Sequence, residues 1–410
     1  MQVSTQLFTG KQYLMMDMAN HFGLDKEDWD VRLAWAYNNN DRLEHLLDKA
    51  DSPAQFYAAV QAWRQVEKGE PVGYPIALDA TASGMQILAC LTGDRRAAQL
   101  CNVVNVGRRV DAYTEVYQYM LAKVGQQGRV TRDMVKSAVM TSLYNSEAIP
   151  KKVFGTGPLL TKFHETMEEE CPAVWELNKY YKAIWDATRL TYSWVLPDNF
   201  HVHVKVMDYV TEQVLFNGEH FDVVTKHHQP TAEGRSLSAN TTHSIDGMIV
   251  REIGRRCNYN PHRVADVLML LDNPDIWNNP EEYPTDDDTK LLATLMGHYE
   301  QSGYLSARVL DCIHYNNVHL LDFSARHHVR ELIKSLPAKP FEVFSIHDCF
   351  RCLPNYGNDL RQQYRLQLHL IAKSRLLSSI LSQLLGHKCE IEPLDPTLAN
   401  DILHSEYALS

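Results

Sequence analysis

The chain has 410 residues, 45% of them hydrophobic and 22% charged, with a formal net charge of −11. Such a balance describes an ordinary globular protein whose core is large enough for two or three subdomains. The acidic total argues against a protein that coats nucleic acid over its whole surface, while leaving room for a locally basic cleft.

No apolar run approaches membrane-spanning length, and the densest, Val267 to Leu271, is far too short. No N-terminal signal pattern is present, and the eight cysteines are scattered rather than spaced as a secreted framework, so a reducing, intracellular location is expected. The acidic runs Met167 to Glu170 and Asp286 to Asp288 read as solvated faces or loops that absorb much of the excess charge.

In chain order, residues 1–70 read mainly as helices. Asp25 to Leu47 carries Trp29, Leu33, Ala36, Tyr37, Leu43, Leu46 and Leu47 at helical spacing, and Ala54 to Val66 repeats the habit with Phe56, Val60 and Trp63. Gly69, Pro71, Gly73 and Pro75 then end the helical region. Tyr74 to Asp79 reads as a short buried strand ending at a carboxylate. Ala80 to Leu91 turns through Gly84 into an apolar helix. Such a placement can aim Asp79 into a cleft, although an aspartate there equally suits a helix N-cap.

Residues 106–240 read as largely helical, with Asp111 to Val124 leading to the most informative stretch, Arg132 to Asn145. As a helix it puts Arg132, Lys136, Met140 and Tyr144 on one stripe. Two cations suit a triphosphate, a flexible thioether can pack under a base, and a phenol can sense a sugar. Taken alone, the stripe also suits an amphipathic surface helix with a Met/Tyr core edge. Asn145, Pro150, Gly155 and Gly157 are expected to end this helix. Thr191 to Pro197 and His201 to Val206 read as extended, with His201 and His203 on an exposed strand face rather than on a metal.

Residues 258–335, rich in Pro, Asn and Asp, read as a loop-bearing insertion of several short helices. Phe341 to Pro354 reads as a hairpin with a tight turn at His347-Asp348, presenting a second carboxylate at its tip. The Cys349/Cys352 pair in this hairpin is a weak metal or redox signal, because the two side chains alternate faces. Leu360 to Leu385 reads as one long helix, and the apolar tail to Ser410 is expected to be docked. No internal repeat or low-complexity segment is present.

Two strand-borne carboxylates with a cationic helix between them are the parts for two-metal phosphoryl transfer, in which Asp supplies compact hard-oxygen ligands to two Mg²⁺ about 3.5–4 Å apart. Lys136 and Arg132 would bind the triphosphate.

These segments resemble the single-subunit, phage T7-like RNA polymerases. Asp79-Ala80-Thr81-Ala82-Ser83-Gly84-Met85-Gln86 resembles their motif A, D-G-S-x-x-G-x-Q. Arg132 to Asn145 resembles motif B, R-x-x-x-K-x-x-V-M-T-x-x-Y-G, and Ile346-His347-Asp348-Cys349-Phe350 resembles motif C, H-D-S-F. Thr242 to Gly247 resembles the H-S-x-D-G segment, and Asp401 to Ala408 the C-terminal tail. The similarity runs from near residue 1 to residue 410, in the family's order.

The resemblance implies a mostly helical α+β fold, a right-hand palm and fingers lacking thumb and N-terminal domain. It implies a helical palm entry at 1–75, palm at 76–105, fingers at 106–240, a palm segment at 241–257, the insertion at 258–335 and palm plus tail at 336–410. Asp79, Asp348 and the Ala80 carbonyl would hold two Mg²⁺. Arg132, Lys136, Met140, Tyr144 and Gly84 would bind the rNTP, with Tyr144 choosing ribose. His347 would support the primer end, and His243, Asp246 and Gly247 would contact template or product. The implied reaction is DNA-dependent RNA synthesis from rNTPs.

Departures are Asn145 for the motif B glycine, Ala80 and Ala82 in motif A, and Ile249 where a polar contact to the sugar edge is expected. Only 78 residues precede Asp79, with no Gly-Arg pair among them. The expectation is therefore a catalytic subunit like that of the split RNA polymerase II of N4-like phages. A second, smaller subunit would supply thumb and N-terminal domain through an interface in residues 1–70. A promoter-opening or single-stranded-DNA-binding factor would assist, in the cytoplasm of an infected bacterium and without a membrane. The rival readings are a family A DNA polymerase, disfavoured by small Ser83 and Gly84 and by Cys349 after His347-Asp348, and a catalytically inactive scaffold subunit.

Overall fold

A computed structural model describes residues 5–125, 130–232, 234, 236–273 and 286–410. The chain is mostly helical. Helices α1 (Gly10–Ala19), α2 (Trp29–Asn39) and α3 (Pro53–Glu67) lead to strand β1 (Ile76–Asp79). Then follow α4 (Ser83–Thr92), α5 (Arg95–Leu100), α6 (Ala112–Val124), α7 (Arg132–Ser142), α8 (Ala148–Phe154), α9 (Pro158–Glu170) and α10 (Pro172–Ala183). Two hairpins come next, β2 (Thr191–Val195) with β3 (His201–Lys205), and β4 (Met207–Phe216) with β5 (Glu219–His228). Helix α11 (Ser236–Cys257) precedes α12 (Pro261–Asp272), α13 (Asp287–Ser302), α14 (Val309–Cys312) and α15 (Phe323–Lys334). Strands β6 (Phe344–Ile346) and β7 (Cys349–Cys352) are followed by α16 (Gly357–Lys373), α17 (Leu376–Leu385) and α18 (Leu398–Ile402).

The principal core forms around α4. Every residue from Met85 to Thr92 is buried, as expected of a helix apolar on nearly all sides, and α16, α11, α5 and α10 pack against it. Strands β1, β7 and β6 form an antiparallel sheet in that order. Ile76, Leu78, Phe350 and Cys352 turn into the core, and period-two alternation sends Asp79, Cys349 and Arg351 to the other face. Buried Asp17 of α1 fixes β1 from behind, accepting from the Ala77 N–H at 2.9 Å and the Tyr74 hydroxyl at 2.8 Å. A second apolar cluster, including Val267, Leu271, Leu292, Val309, Val318 and Val329, lies within α12 to α15.

The tail is docked. Ser410 and Asp79 exchange backbone hydrogen bonds at 2.9 and 3.3 Å, and the Thr81 N–H donates to the Ala408 carbonyl at 3.3 Å, so residues 408–410 cover the edge of β1. Arg361 secures this arrangement. It is buried, and its guanidinium donates to the Glu406 carboxylate at 2.6 Å and carbonyl at 2.9 Å, and to the Tyr13 hydroxyl at 3.1 Å. Trp29 stacks on Tyr407 at 5.3 Å, and its backbone N–H donates to the Tyr407 hydroxyl at 3.2 Å.

Several elements differ from the sequence reading. The helical pattern across 25–47 resolves into α2 and a 3₁₀ stretch over Asn40–Lys49. The long helix expected from 360 to 385 breaks at Ser374-Arg375, where Ser374 is extended. Helix α7 ends at Ser142, before Tyr144, and Pro150 lies inside α8 rather than at a terminus. The β4–β5 hairpin was not anticipated. Its turn, Asn217-Gly218, has φ of 54° and 83°, the pair of positive angles that an Asn-Gly hairpin turn supplies.

Candidate active site

The site begins with sheet register. Asp79, the last residue of β1, stands opposite Cys349, the first of β7, and the Ala80 N–H donates to the Asp348 carbonyl at 3.2 Å. His347 and Asp348 are the two turn residues between β6 and β7, with His347 at φ 56°, a conformation that a short hairpin turn demands. Two acids far apart in the chain thus meet at one end of one sheet.

Their proximity has an electrostatic signature. Lost hydration and the Asp348 charge push the Asp79 carboxyl up to about 6, with Asp25 adding to the repulsion, although the tip of Asp79 remains open to solvent. Opposing this are the Ala80 N–H and the Arg109 guanidinium. Asp246, on α11, is also pushed up to about 6, by lost hydration and then by Asp348, with His347 pulling the other way. Three carboxylates therefore share one region, with Arg109 and His347 opposing their mutual repulsion.

Helix α7 supplies cations, with Thr131 as its N-cap. Arg132 is engaged, pairing with Asp111 and donating to the Thr114 hydroxyl at 2.9 Å. The exposed Lys136 ammonium lies 5.8 Å from the centre of the Tyr113 ring. Met140 is 45% exposed on the same side. The expected stripe is broken at its end, because Tyr144 lies in the turn beyond α7. Burial first, then Asp246, Tyr113 and Asp348, push its phenol up to about 12.

Tyr144 is bracketed by Gly84 and His243. A Cβ on Gly84 would collide with the phenol oxygen, so α4 approaches as closely as it does because residue 84 has no side chain. The His243 ring lies 5.1 Å from that of Tyr144, tilted by 47°. His243 and Asp246, three residues apart on α11, share a face toward this region. Gly247 follows, where a Cβ would meet only Arg251, at 3.3 Å. Ile249 is buried in the core at 1% exposure, while His243 and Asp246 of the same helix are polar neighbours of Tyr144. Asn145 adopts φ 64°, which explains why glycine suits that position and asparagine replaces it well.

Residues that sequence reasoning passed over complete the site. Gln86, fully buried, donates to the Thr81 hydroxyl, the Cys101 carbonyl and the Ala408 carbonyl at 2.9–3.0 Å, and accepts from the Tyr364 hydroxyl at 2.6 Å. It joins α4, α16 and the tail. Its sequence signals were its place as the glutamine of the motif A resemblance and an amide inside an apolar run. Arg109, near Asp79, has its backbone N–H on Asp28 at 2.6 Å and its Nε 3.4 Å from the Ser410 hydroxyl. Tyr113 and Asp111 carry no signal beyond the start of α6.

His201 and His203 stand on the exposed face of β3. Cys349 is half-buried and Cys352 buried, with both thiols pushed up by lost hydration. Among the described residues, the one group of three His, Cys, Asp or Glu side chains within 4.8 Å is Asp286, Asp288 and His314, at the surface, where Asp286 caps α13. Among the described residues no helix is long and apolar enough to cross a membrane.

Residues 8–193 match the family model described as DNA-dependent RNA polymerase. The chain is similar to the mitochondrial DNA-directed RNA polymerase of Schizosaccharomyces pombe, 32% identical over 162 residues, covering 33% of this chain and 14% of the relative. It is similar to the mitochondrial DNA-directed RNA polymerase of Neurospora crassa, 27% identical over 166 residues, covering 33% of this chain and 12% of the relative. The chain thus spans less than a fifth of the length of these relatives. These matches make the chain similar to DNA-directed RNA polymerases over part of its length.

Proposed function

We propose that this chain is the catalytic core of a DNA-directed RNA polymerase, transferring nucleotides from rNTPs to an RNA 3′ end on a DNA template. The observation that carries the reading is the meeting of Asp79 and Asp348 at one sheet end, with Tyr144 near Asp348 and Lys136 near the Tyr113 ring. In this reading β1, β6, β7 and their helices form the palm, and α6 to α10 the fingers.

Neighbouring carboxylates that repel one another are a hard-oxygen donor set that fits a divalent cation. Asp79, Asp348 and the Ala80 carbonyl would hold Mg²⁺, which when bound lowers the pKa of an attacking hydroxyl and offsets triphosphate charge. Lys136 neutralises the triphosphate, and Arg132 joins it by exchanging Asp111 for phosphate oxygens. Tyr144, fixed between Gly84 and His243, meets the sugar edge. Met140 offers an apolar surface to the base, and His347 stands beside Asp348 for the primer end. His243, Asp246 and Gly247 face template or product.

Resemblance to the split phage enzymes adds a second polypeptide and a DNA-opening factor, in the cytoplasm of an infected bacterium. Leu7, Val31, Tyr37 and Tyr57 are exposed in the first seventy residues, the segment on which the second subunit would dock. A co-purified heterodimer is the expected result, and a fully active monomer would remove that part of the proposal.

Extension of an RNA primer on a DNA template tests the activity. rNTP incorporation that depends on Mg²⁺ and is lost in Asp79→Asn and Asp348→Asn is expected. Preferential dNTP incorporation, or synthesis unaffected by those changes, would overturn the assignment.

A further inference from the structure

The sheet that carries the two acids also carries a cation with no role so far. Arg351 lies on β7, opposite Ala77 of β1 and Phe344 of β6. Paired residues share a face, so Arg351 stands on the same side as Asp79 and Cys349, one pair further from the His347-Asp348 turn. That offset is roughly 7 Å along the strand. The face is open beside it, with Phe344 46% and Ile346 58% exposed.

Arg132 is paired with Asp111, and the Arg109 Nε reaches the Ser410 hydroxyl. Arg351 is different. Its Nε is shielded from solvent and has no hydrogen-bond partner among the described residues. Asp17, a carboxylate whose charge reaches Cys349 as that of Arg351 does, is occupied by the Ala77 N–H, the Tyr74 hydroxyl and the His21 ring. A half-buried guanidinium with no fixed partner costs stability unless an anion arrives to complete it.

The anion follows from the side on which Arg351 stands. Asp348 acts on Tyr144 and on Tyr113, the ring beside Lys136, whereas Arg351 acts on Tyr74 and Cys349. The α7 cations and Arg351 therefore flank the acids from different sides. Phosphoryl transfer sets the attacking and leaving oxygens roughly in line, so the strand that ends in the attacking hydroxyl approaches opposite the triphosphate. We infer that Arg351 grips the sugar-phosphate backbone of the growing RNA, at one of the last three linkages before its 3′ end. This rests on the polymerase reading and adds a product-strand contact to it.

The test measures how an RNA primer annealed to a DNA template binds the full chain, with any subunit that co-purifies. In Arg351→Gln the dissociation constant should rise about tenfold, and the slope of log K against log salt should shrink by about one. Arg351→Lys, which keeps the charge, should recover most of that slope. The KM for rNTPs should stay within about twofold in Arg351→Gln, because the triphosphate is held from the other side. A neutral 2′-O-methyl methylphosphonate at one of the last three primer linkages is compared with the 2′-O-methyl phosphate. It should weaken wild-type binding by a similar factor and leave Arg351→Gln almost indifferent. Unchanged duplex binding in Arg351→Gln, a raised rNTP KM in its place, or full sensitivity of that variant to the neutral linkage would overturn the inference. Should Arg351→Gln melt below wild type, the linkage scan on wild type and Arg351→Lys decides, and no sensitive linkage among the three overturns the contact. Failure of the wild type to extend the primer with rNTPs would instead remove the polymerase reading itself.

Discussion

The phenol oxygen of Tyr144 fills the space into which a side chain on Gly84 would grow. A methyl group there leaves the backbone unstrained, since φ at Gly84 is not positive, and acts only by moving the phenol. In Gly84→Ala, kcat/KM for rNTPs should fall about tenfold to a hundredfold, the usual consequence of misplacing a positioning group by about 1 Å. Discrimination against dNTPs should change with it. Steady-state extension with each nucleotide type checks both, and a melting curve near wild type separates the effect from unfolding.

Asp348→Asn separates activity from stability. Synthesis should fall by about a thousandfold or more, because a metal ligand is lost. The metal-free protein should nonetheless melt at the same or a higher temperature, since the neighbour that raises the Asp79 and Asp246 carboxyls has lost its charge. Calorimetry in EDTA measures this; a marked drop in melting temperature would count against the repulsion.

The same two acids set a pH dependence. Their folded pKa values, about 6, lie above the unfolded value of about 3.9, so the folded protein binds the extra protons first. Their contribution therefore destabilises the metal-free fold above pH 6, and this effect fades as pH falls from about 6 toward 4. Melting temperature in EDTA should rise over that window, and the rise should be smaller in Asp79→Asn/Asp246→Asn.

Asn145 tests a backbone requirement. Alanine at φ 64° costs about 1–2 kcal/mol in conformation. It also loses the side-chain hydrogen bond to the Asn178 carbonyl, 3.1 Å, worth about 1 kcal/mol. Asn145→Gly loses only the latter. Denaturant unfolding should rank wild type above glycine above alanine.

Glu406→Gln tests the tail. It leaves buried Arg361 without its carboxylate, a loss of about 3–5 kcal/mol. Because residues 408–410 pair with Asp79 to Thr81, loosened tail packing should lower activity as well as stability. Chemical denaturation alongside primer extension reads both.

Elements with strong local signals were legible in the sequence. Alternation and the His-Asp turn located the β6–β7 hairpin, and the apolar run of α4 marked the core. Two strand-ending acids with a cationic helix between them suggested one centre, and the family resemblance gave Asp79 and Asp348 their implied role as its metal ligands. What escaped notice depends on contacts made across the chain. The stop of α7 before Tyr144, the commitment of Arg132 to Asp111 and the place of His243 against Tyr144 are tertiary relations with no local pattern. Gln86 was legible as the last position of the motif A resemblance, but its bonds to Tyr364 and Ala408 were not. The β4–β5 hairpin had a clear Asn-Gly signal at 217–218 that was overlooked.

The clamp on the first strand also imposes an order on biosynthesis. Gln86 and its carbonyl partner at Ala408 are 322 positions apart, so the ribosome releases the strand bearing Asp79 long before the segment that closes its edge exists. Until then that edge is open to mispairing, and maturation of the acidic centre waits on the translation of residues 408–410.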